Sequence, residues 1–262
     1  MAPPGTYTAK LGAGLGLVSE TKALLELWEA GMSARDLYQT ALESGRFPHM
    51  TAKRLQNMVR DGFAPRYMAN GSAAARDLKR LALSLPTADF QQLLLIYTAR
   101  AHPILGDFIR EVYWGTYESG SPELTNAQAR HFVERAMEAG KMASRWTDGT
   151  VQNVAGFLPG CCADFGMLES GRKTRRRFTS FHITPSTAVY LAYERHFAGL
   201  GDNAVLAHED WALFGLSREE VLSELKALSR KGLMIVQAAG EVVRISWTIA
   251  TPEELCRVLT ES

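Results

Sequence analysis

A short basic run follows Gly171 and is the first candidate for chemistry in the sequence. Within residues 168–182, five basic residues accompany a single acidic residue, Glu169. These basic residues are Arg172, Lys173, Arg175, Arg176 and Arg177. The alternation of side chains after a glycine turn predicts a two-stranded β-ribbon. Since guanidinium groups bind phosphate oxygens, the run predicts a basic wing that lies on a phosphate backbone or in a minor groove.

A second group of cations lies within residues 46–67, where five basic residues accompany Asp61 alone. Three of them, Lys53, Arg54 and Arg60, fall on the outer face of a predicted helix. This face predicts a second phosphate contact beside the basic wing. The alternative is an ordinary solvated helix surface, because exposed basic side chains are common on helical bundles.

Three polar residues, Thr150, Gln152 and Asn153, stand at the start of another predicted helix. Groups at a helix N-terminus can bind phosphate, and the amides of Gln and Asn can bond to base edges. These residues are therefore predicted to add contacts to bases or phosphates. Pro159 and Gly160 are predicted to interrupt this helix.

The sequence contains few residues in the arrangements that catalysis requires. Its six histidines form no HExxH pattern and its three cysteines form no CxxC pattern, so we expect neither a metal nor another cofactor. Cys162 and His182 are the one candidate pair of nucleophile and base, but adjacent thiols near phenylalanines are more typical of packing. Asp107 and Glu111, one helical turn apart, are interpreted as ion-pairing residues. We therefore expect no catalytic residues.

Composition is that of an ordinary globular protein. The chain has 262 residues, 46% hydrophobic and 22% charged, with a net charge of +1. Any nucleic-acid surface must therefore be local, because the chain as a whole is not a polycation. The cysteine content suits a reducing compartment, the opening residues do not resemble a secretory signal, and no apolar stretch is long enough to span a bilayer. We expect a cytoplasmic protein without membrane contact.

Helical periodicity dominates the sequence, and short hairpin patterns interrupt it. The predicted fold is mainly α, a helical bundle with helix-turn-helix or winged-helix units and short β-hairpin wings. The four predicted segments are helix-turn-helix-like helices over 1–70, a central helical core over 71–140, a winged helix with the basic ribbon over 141–190, and a C-terminal winged-helix-like unit over 191–262. The predicted helix caps are Ser19, Ser33, Thr51, Thr125 or Asn126, Thr147 and Ser217.

The most apolar stretch lies in the second of these segments and is predicted to form the central core. Tyr113, Trp114 and Tyr117 follow it at helical spacing. Such aromatic residues can stack on bases, but beside a leucine-rich helix they are more often part of the packing. We interpret these three as packing residues.

The C-terminal segment contains a helix followed by a hairpin. The helix begins after Ser217, and the hairpin turn is predicted at 238–240. From residue 192 onward, eleven acidic residues outnumber seven basic ones. This negative charge predicts a surface that packs against another subunit or protein rather than one that binds DNA.

Several segments resemble the BrxA family of BREX bacteriophage-exclusion systems. These segments are YTAKLGAG from Tyr7, Ser19-Glu20 before a leucine-rich helix, TAKRL from Thr51, GDFIREVYW from Gly106, and RWTDGT from Arg145. The resemblance covers about residues 7–170. It implies an all-helical protein with winged-helix and NusB-like elements that binds double-stranded DNA and has no enzymatic activity. Beyond about Thr184, the chain is longer than the resemblance leads us to expect.

The residues and the resemblance together support one hypothesis. It is a non-enzymatic component of a BREX-type phage-defence system that grips double-stranded DNA through phosphates, with weak sequence preference. One alternative is an RNA-binding protein, because an arginine-rich ribbon does not distinguish the two kinds of backbone. Another is a scaffold that joins other BREX proteins through an acidic partner surface.

Overall fold

The structure is a computed structural model and describes residues 6–13, 17–171, 173–240 and 242–261. Over these residues the fold is mainly helical with two small antiparallel sheets, which confirms the predicted fold class. The helices are α1 (Val18–Leu27), α2 (Ala34–Glu43), α3 (Ala52–Asn57), α4 (Ala73–Leu81), α5 (Thr87–Ala101), α6 (Pro103–Phe108), α7 (Trp114–Glu118), α8 (Asn126–Glu138), α9 (Asp148–Asp164), α10 (Pro185–Phe197), α11 (Asp202–Leu206), α12 (Arg218–Ser229) and α13 (Pro252–Glu261). The strands are β1 (Glu123–Thr125), β2 (Arg175–Arg177), β3 (Met234–Ala239) and β4 (Val242–Trp247).

Other helical geometries connect these elements. Two π-helical segments, Met58–Met68 and Ile109–Tyr113, continue α3 and α6. Short 3₁₀ segments cover Ala9–Gly12, Asn70–Ser72 and Glu209–Phe214. Among the helices described, none combines the length and the apolar character that crossing a bilayer requires.

Side-chain caps fix where several helices begin. Ser33, Thr51, Thr125, Thr147 and Ser217 each accept a hydrogen bond from the backbone N–H three residues further along. Each bond satisfies an amide group that the first helical turn leaves without an intrahelical partner. These five caps agree with the sequence prediction. The predicted cap Ser19 is wrong, because it lies inside α1, which begins at Val18.

The aromatic residues after α6 belong to the packing. Tyr113 is fully buried, and its hydroxyl donates a hydrogen bond to the Met167 carbonyl at 3.0 Å. Its ring lies edge-on to the rings of Trp114 and Phe178, with centroids 5.0 and 5.1 Å away. Tyr117 makes similar contacts with the same two rings. The packing interpretation is confirmed for Tyr113 and Trp114, whereas Tyr117 is 43% exposed.

The basic run forms part of the predicted ribbon. Residues before and after Gly171 pair through an antiparallel bridge between Leu168 and Phe178 and a hydrogen bond from the Glu169 N–H to the Arg177 carbonyl at 3.0 Å. Strand β2 also pairs with β1 from before α8, so that Leu124 lies opposite Arg176. Leu124 is fully buried, and β2 therefore lies against the body of the protein instead of projecting from it. Alternation predicted the extended backbone correctly, but it could not identify a partner strand of three residues from a distant part of the chain.

Helix α9 continues without a break through Pro159 and Gly160, so the predicted interruption is wrong. Proline removes one helical hydrogen bond and usually ends or bends a helix. Here Pro159 is buried, and α9 packs closely along α8. The burial of this face outweighs the loss of one backbone bond.

The segment before α1 is held by a buried cation. Arg66 donates hydrogen bonds from Nη2 to the carbonyls of Leu11 and Ala13, at 3.2 and 2.6 Å. The same segment lies on α9, where a Cβ built on Gly12 would be 2.6 Å from the ring of Phe157. A larger residue at position 12 would therefore have to displace the ring of Phe157.

The C-terminal hairpin is attached to the helices before it. Strands β3 and β4 pair antiparallel, with Ala239 opposite Val242, which confirms the hairpin. The turn predicted at 238–240 begins too early, because Ala238 and Ala239 belong to β3. Asp202 at the start of α11 accepts hydrogen bonds from the Ile245 N–H at 2.8 Å and from the Trp247 ring N–H at 3.1 Å. These bonds fix the hairpin against α11, while β3 lies along α12.

Candidate nucleic-acid interface

Predicted contact residues from three parts of the chain meet at one groove, which has a volume of about 860 Å³ and which we call the α9 groove. Its lining residues are Arg54, Asn126, Gln152, Asn153, Gly156, Phe157, Gly160, Ala163, Asp164, Ser170, Gly171, Lys173, Thr174 and Arg176. Helix α9 supplies half of this surface, α3 supplies Arg54, and the loop before β2 supplies the opposite side. Five of the residues predicted from the sequence are present: Arg54, Gln152, Asn153, Lys173 and Arg176.

Two cations of α3 are available at the surface. Lys53 and Arg54 are exposed, and neither forms an ion pair with a described carboxylate. Arg54 also borders a smaller neighbouring cavity of about 390 Å³, which shares Phe157 with the α9 groove. Arg54 is therefore placed to contact an anion that enters either space.

The other cations of residues 46–67 are engaged within the protein. Arg60 is ion-paired with its neighbour Asp61, and the hydrogen bond from Arg60 lowers the pKa of that carboxyl. Arg46 pairs with Glu26 at 2.5 Å, and Arg66 is only 7% exposed. In the predicted second footprint, Lys53 and Arg54 form no ion pair with a described carboxylate, whereas Arg60 is exposed and paired with Asp61.

Because side chains alternate along a strand, the three arginines of β2 do not all face the same way. Arg175 and Arg177 are exposed and form no ion pair with a described carboxylate, whereas Arg176 is 9% exposed. Arg176 donates from Nη1 to the Glu169 carbonyl at 3.0 Å, and its buried Nε has no hydrogen-bond partner. The prediction that Arg176 belongs to an exposed wing is wrong, because the second residue of a strand faces opposite to its neighbours.

Lys173 lies on the rim of the α9 groove and pairs with Glu169 at 2.7 Å. The hydrogen bond from Lys173 lowers the pKa of the Glu169 carboxyl. Because the pair is exposed, an incoming phosphate can compete for Lys173 at small cost. Arg172, also predicted as a contact, lies outside the described residues.

The polar residues at the start of α9 have different surroundings. Thr150 donates its backbone N–H to Thr147, completing the helix cap, and does not line the groove. Gln152 is exposed, and its Oε1 accepts a hydrogen bond from Arg130 at 3.0 Å. Asn153 is exposed and lines the groove beside Gln152. Two of the three predicted residues therefore face the candidate site.

The sequence interpretation missed several lining residues, of which Asn126, Gly156 and Phe157 matter most here. Gly156 and Phe157 follow Gln152 and Asn153 by one helical turn, so helical spacing could have placed them on the same face. Asn126 carries no such signal. It reaches the groove because its N–H donates to the Thr174 carbonyl at 2.9 Å, beside the non-local β1–β2 pair.

Most of the residues considered for catalysis are either buried or ion-paired within the protein. Cys162 is fully buried, and burial raises the pKa of its thiol well above the ordinary value, which disfavours the thiolate that a nucleophile needs. The interpretation of this residue as packing is confirmed. Asp107 and Glu111 both pair with Lys141, at 3.3 and 3.7 Å, and their ion-pairing interpretation is confirmed too.

Comparisons with known proteins bear on the fold and the family. No curated protein matches the chain. A solved structure titled as that of an uncharacterized protein from Magnetospirillum magneticum is similar with a TM-score of 0.58, covering 73% of this chain and 94% of that one at 19% identity. At this identity the likeness concerns the fold alone. The sequence model of BrxA matches residues 5–195, which is most of the chain, and this protein therefore belongs to the BrxA family.

Proposed function

We propose that this protein is a non-enzymatic, cytoplasmic component of a BREX-type phage-defence system that binds double-stranded DNA. Its membership in the BrxA family supports a BREX-associated role. The contact to DNA is assigned to the exposed cations of α3 and β2, of which Arg54 borders the α9 groove. Most of the binding free energy comes from phosphate contacts, so sequence preference is weak.

One observation carries the proposal. Lys53, Arg54, Arg175 and Arg177 come from distant parts of the chain, are exposed, and form no ion pair with a described carboxylate. Cations without internal partners lose little when they bind phosphate, because no existing ion pair has to be broken. Arg54 borders the same groove as Asn153 and Gln152, whose amides have the donors and acceptors that base edges require.

The test is a fluorescence-polarisation titration of a short DNA duplex at several salt concentrations. Changing Arg175→Gln and Arg177→Gln together should weaken binding and reduce the slope of log affinity against log salt by about two units at most, since each lost phosphate contact removes about 0.9. A matched control, Arg230→Gln with Lys231→Gln, removes the same charge from exposed positions at the end of α12. This control should leave the slope nearly unchanged.

Two results would contradict the proposal. An equal loss in both double variants would indicate a general charge effect, and binding that does not depend on salt would exclude phosphate contacts. Competition with an RNA duplex of matched sequence distinguishes the RNA alternative. The DNA proposal expects the DNA duplex to compete better, and preference for the RNA duplex would overturn it.

A further inference from the structure

Helix α9 presents an unusually bare surface to its groove. Gly156 lies in the middle of the helix, where glycine is less favourable than alanine. No atom of the described chain lies within 4 Å of a Cβ built on Gly156, so internal packing does not require a glycine there. Glycine in a helix interior commonly marks a place where another molecule approaches the backbone closely.

A second observation at the same groove also suggests a ligand. Arg176, which lines the groove from the side opposite α3, is more than nine-tenths buried. Its Nε has no hydrogen-bond partner, and a buried donor without a partner is costly. A polar ligand in the groove that shifted this side chain slightly would allow the missing bond to form.

The other lining groups are not those of a simple phosphate track. A surface that bound only phosphates would present cations, but this groove also contains the amides of Asn126, Gln152 and Asn153 and the carboxylate of Asp164. Together they provide hydrogen-bond donors and acceptors, as the edge of a nucleobase does. Phe157 adds an aromatic ring on which a base can stack.

The volume of the groove limits which part of a nucleic acid can enter it. A volume of about 860 Å³ falls in the range of about 300–1,000 Å³ that is typical of small-molecule sites. A base with its sugar fits this space, whereas a duplex can only lie across its rim. Arg54 at the rim is then in position for the adjoining phosphate.

We propose that the α9 groove holds one unpaired nucleotide of a bound DNA, with its base over Gly156 and against Phe157 and its phosphate at Arg54. This inference rests on the proposed DNA binding and adds a preference within it. Taking a nucleotide out of a perfect duplex opposes binding, and that cost is smallest where the nucleotide is already unpaired. The protein should therefore prefer DNA with an extrahelical or mismatched nucleotide.

The experiment compares two DNA duplexes of the same length, one fully paired and one with a single extrahelical 2-aminopurine. The wild type should bind the second duplex about ten-fold more tightly, in keeping with one base stacked on an aromatic side chain. The 2-aminopurine fluorescence should also change on binding. Equal affinities without a fluorescence change would overturn the inference, while salt-sensitive binding of the paired duplex would still support the proposed function.

Two glycine variants make the test specific to the groove. Gly156→Leu should abolish the preference for the extrahelical duplex, because its side chain fills the place of the base. Gly149→Leu is the matched control, since Gly149 lies on the same helix, also has an open Cβ position, and does not line the groove. It should keep the preference, and circular dichroism should show that both variants are folded.

A free nucleotide carries the same kinds of group as the extrahelical nucleotide and is the other candidate ligand of the groove. Free 2-aminopurine nucleoside monophosphate at millimolar concentration should compete only weakly with the extrahelical duplex, because the duplex adds the contacts at Arg175 and Arg177. Equal affinity for the free nucleotide would overturn the assignment to DNA. Preference retained in Gly156→Leu would equally overturn the assignment to this groove.

Discussion

Replacing Arg100 with methionine should lower the free energy of unfolding by about 3–5 kcal/mol. Arg100 on α5 donates hydrogen bonds to Glu194 at 3.0 Å and to Asp210 at 2.7 Å, and all three side chains are mostly buried. Burial opposes ionisation of Asp210, but hydrogen bonds from His208 and the charge of Arg100 outweigh it and lower its pKa to about 2. Without Arg100, Glu194 would keep Arg195 and Asp210 would keep His208, but both buried carboxylates would lose the guanidinium that they share.

Urea unfolding followed by circular dichroism measures this effect. The matched control is Arg135→Met, because Arg135 also pairs with a glutamate from another segment, Glu111, at 3.3 Å, but with both side chains exposed. This change should lower stability by less than about 1 kcal/mol. Similar losses in the two variants would mean that the burial of the Arg100 cluster contributes nothing special.

Asp77→Asn should stabilise the protein at neutral pH by about 2–3 kcal/mol and have little effect near pH 4. Asp77 is 8% exposed, and burial raises the pKa of its carboxyl to about 6, even though Tyr190 donates a hydrogen bond to it at 3.2 Å. Tyr190 in turn shares a 2.5 Å hydrogen bond with Tyr97, so the carboxyl ends a buried polar chain between helices.

The raised pKa of Asp77 determines at which pH values this residue stabilises the folded protein. Between the ordinary value of 3.8 and about 6, the folded protein binds a proton at Asp77 that the unfolded chain releases. The contribution of Asp77 to stability is therefore fully present below pH 4 and is lost as the pH rises through 6. Asparagine keeps an acceptor for Tyr190 without the buried charge. Urea unfolding of both proteins at pH 4 and pH 7.5 checks this, and an equal difference at the two pH values would contradict it.

Local signals in the sequence were enough to place most helix starts. Ser33, Thr51 and Thr147 were recognisable because a cap depends on residues only three positions apart. Two errors concerned longer-range effects. Burial of Pro159 keeps α9 intact, and the partner of β2 lies on the other side of α8 and α9 in the chain. Neither effect leaves a pattern in a short window of sequence.

The sequence was enough to predict which residue types form the site, but not how these residues are arranged in space. Counting charges identified the two basic segments, and Arg54, Arg175 and Arg177 are indeed exposed. It could not show that Arg66 and Arg176 are buried, because their hydrogen-bond acceptors are backbone carbonyls that carry no sequence signature. Assembly of the α9 groove depends on tertiary packing, which brings α3 and the loop before β2 to the same face of α9.

The reactivity of the buried thiols can be used to measure local opening of the helices that carry them. Cys161 lies in α9 beneath the groove and Cys256 lies in α13, and burial raises the pKa of both thiols to about 12. An alkylating reagent therefore modifies them only when their helices separate from the core. Mass spectrometry of the labelled peptides would then give separate opening free energies for α9 and α13. Slower labelling at Cys161 alone, once DNA is added, would show which helix the bound nucleic acid holds closed.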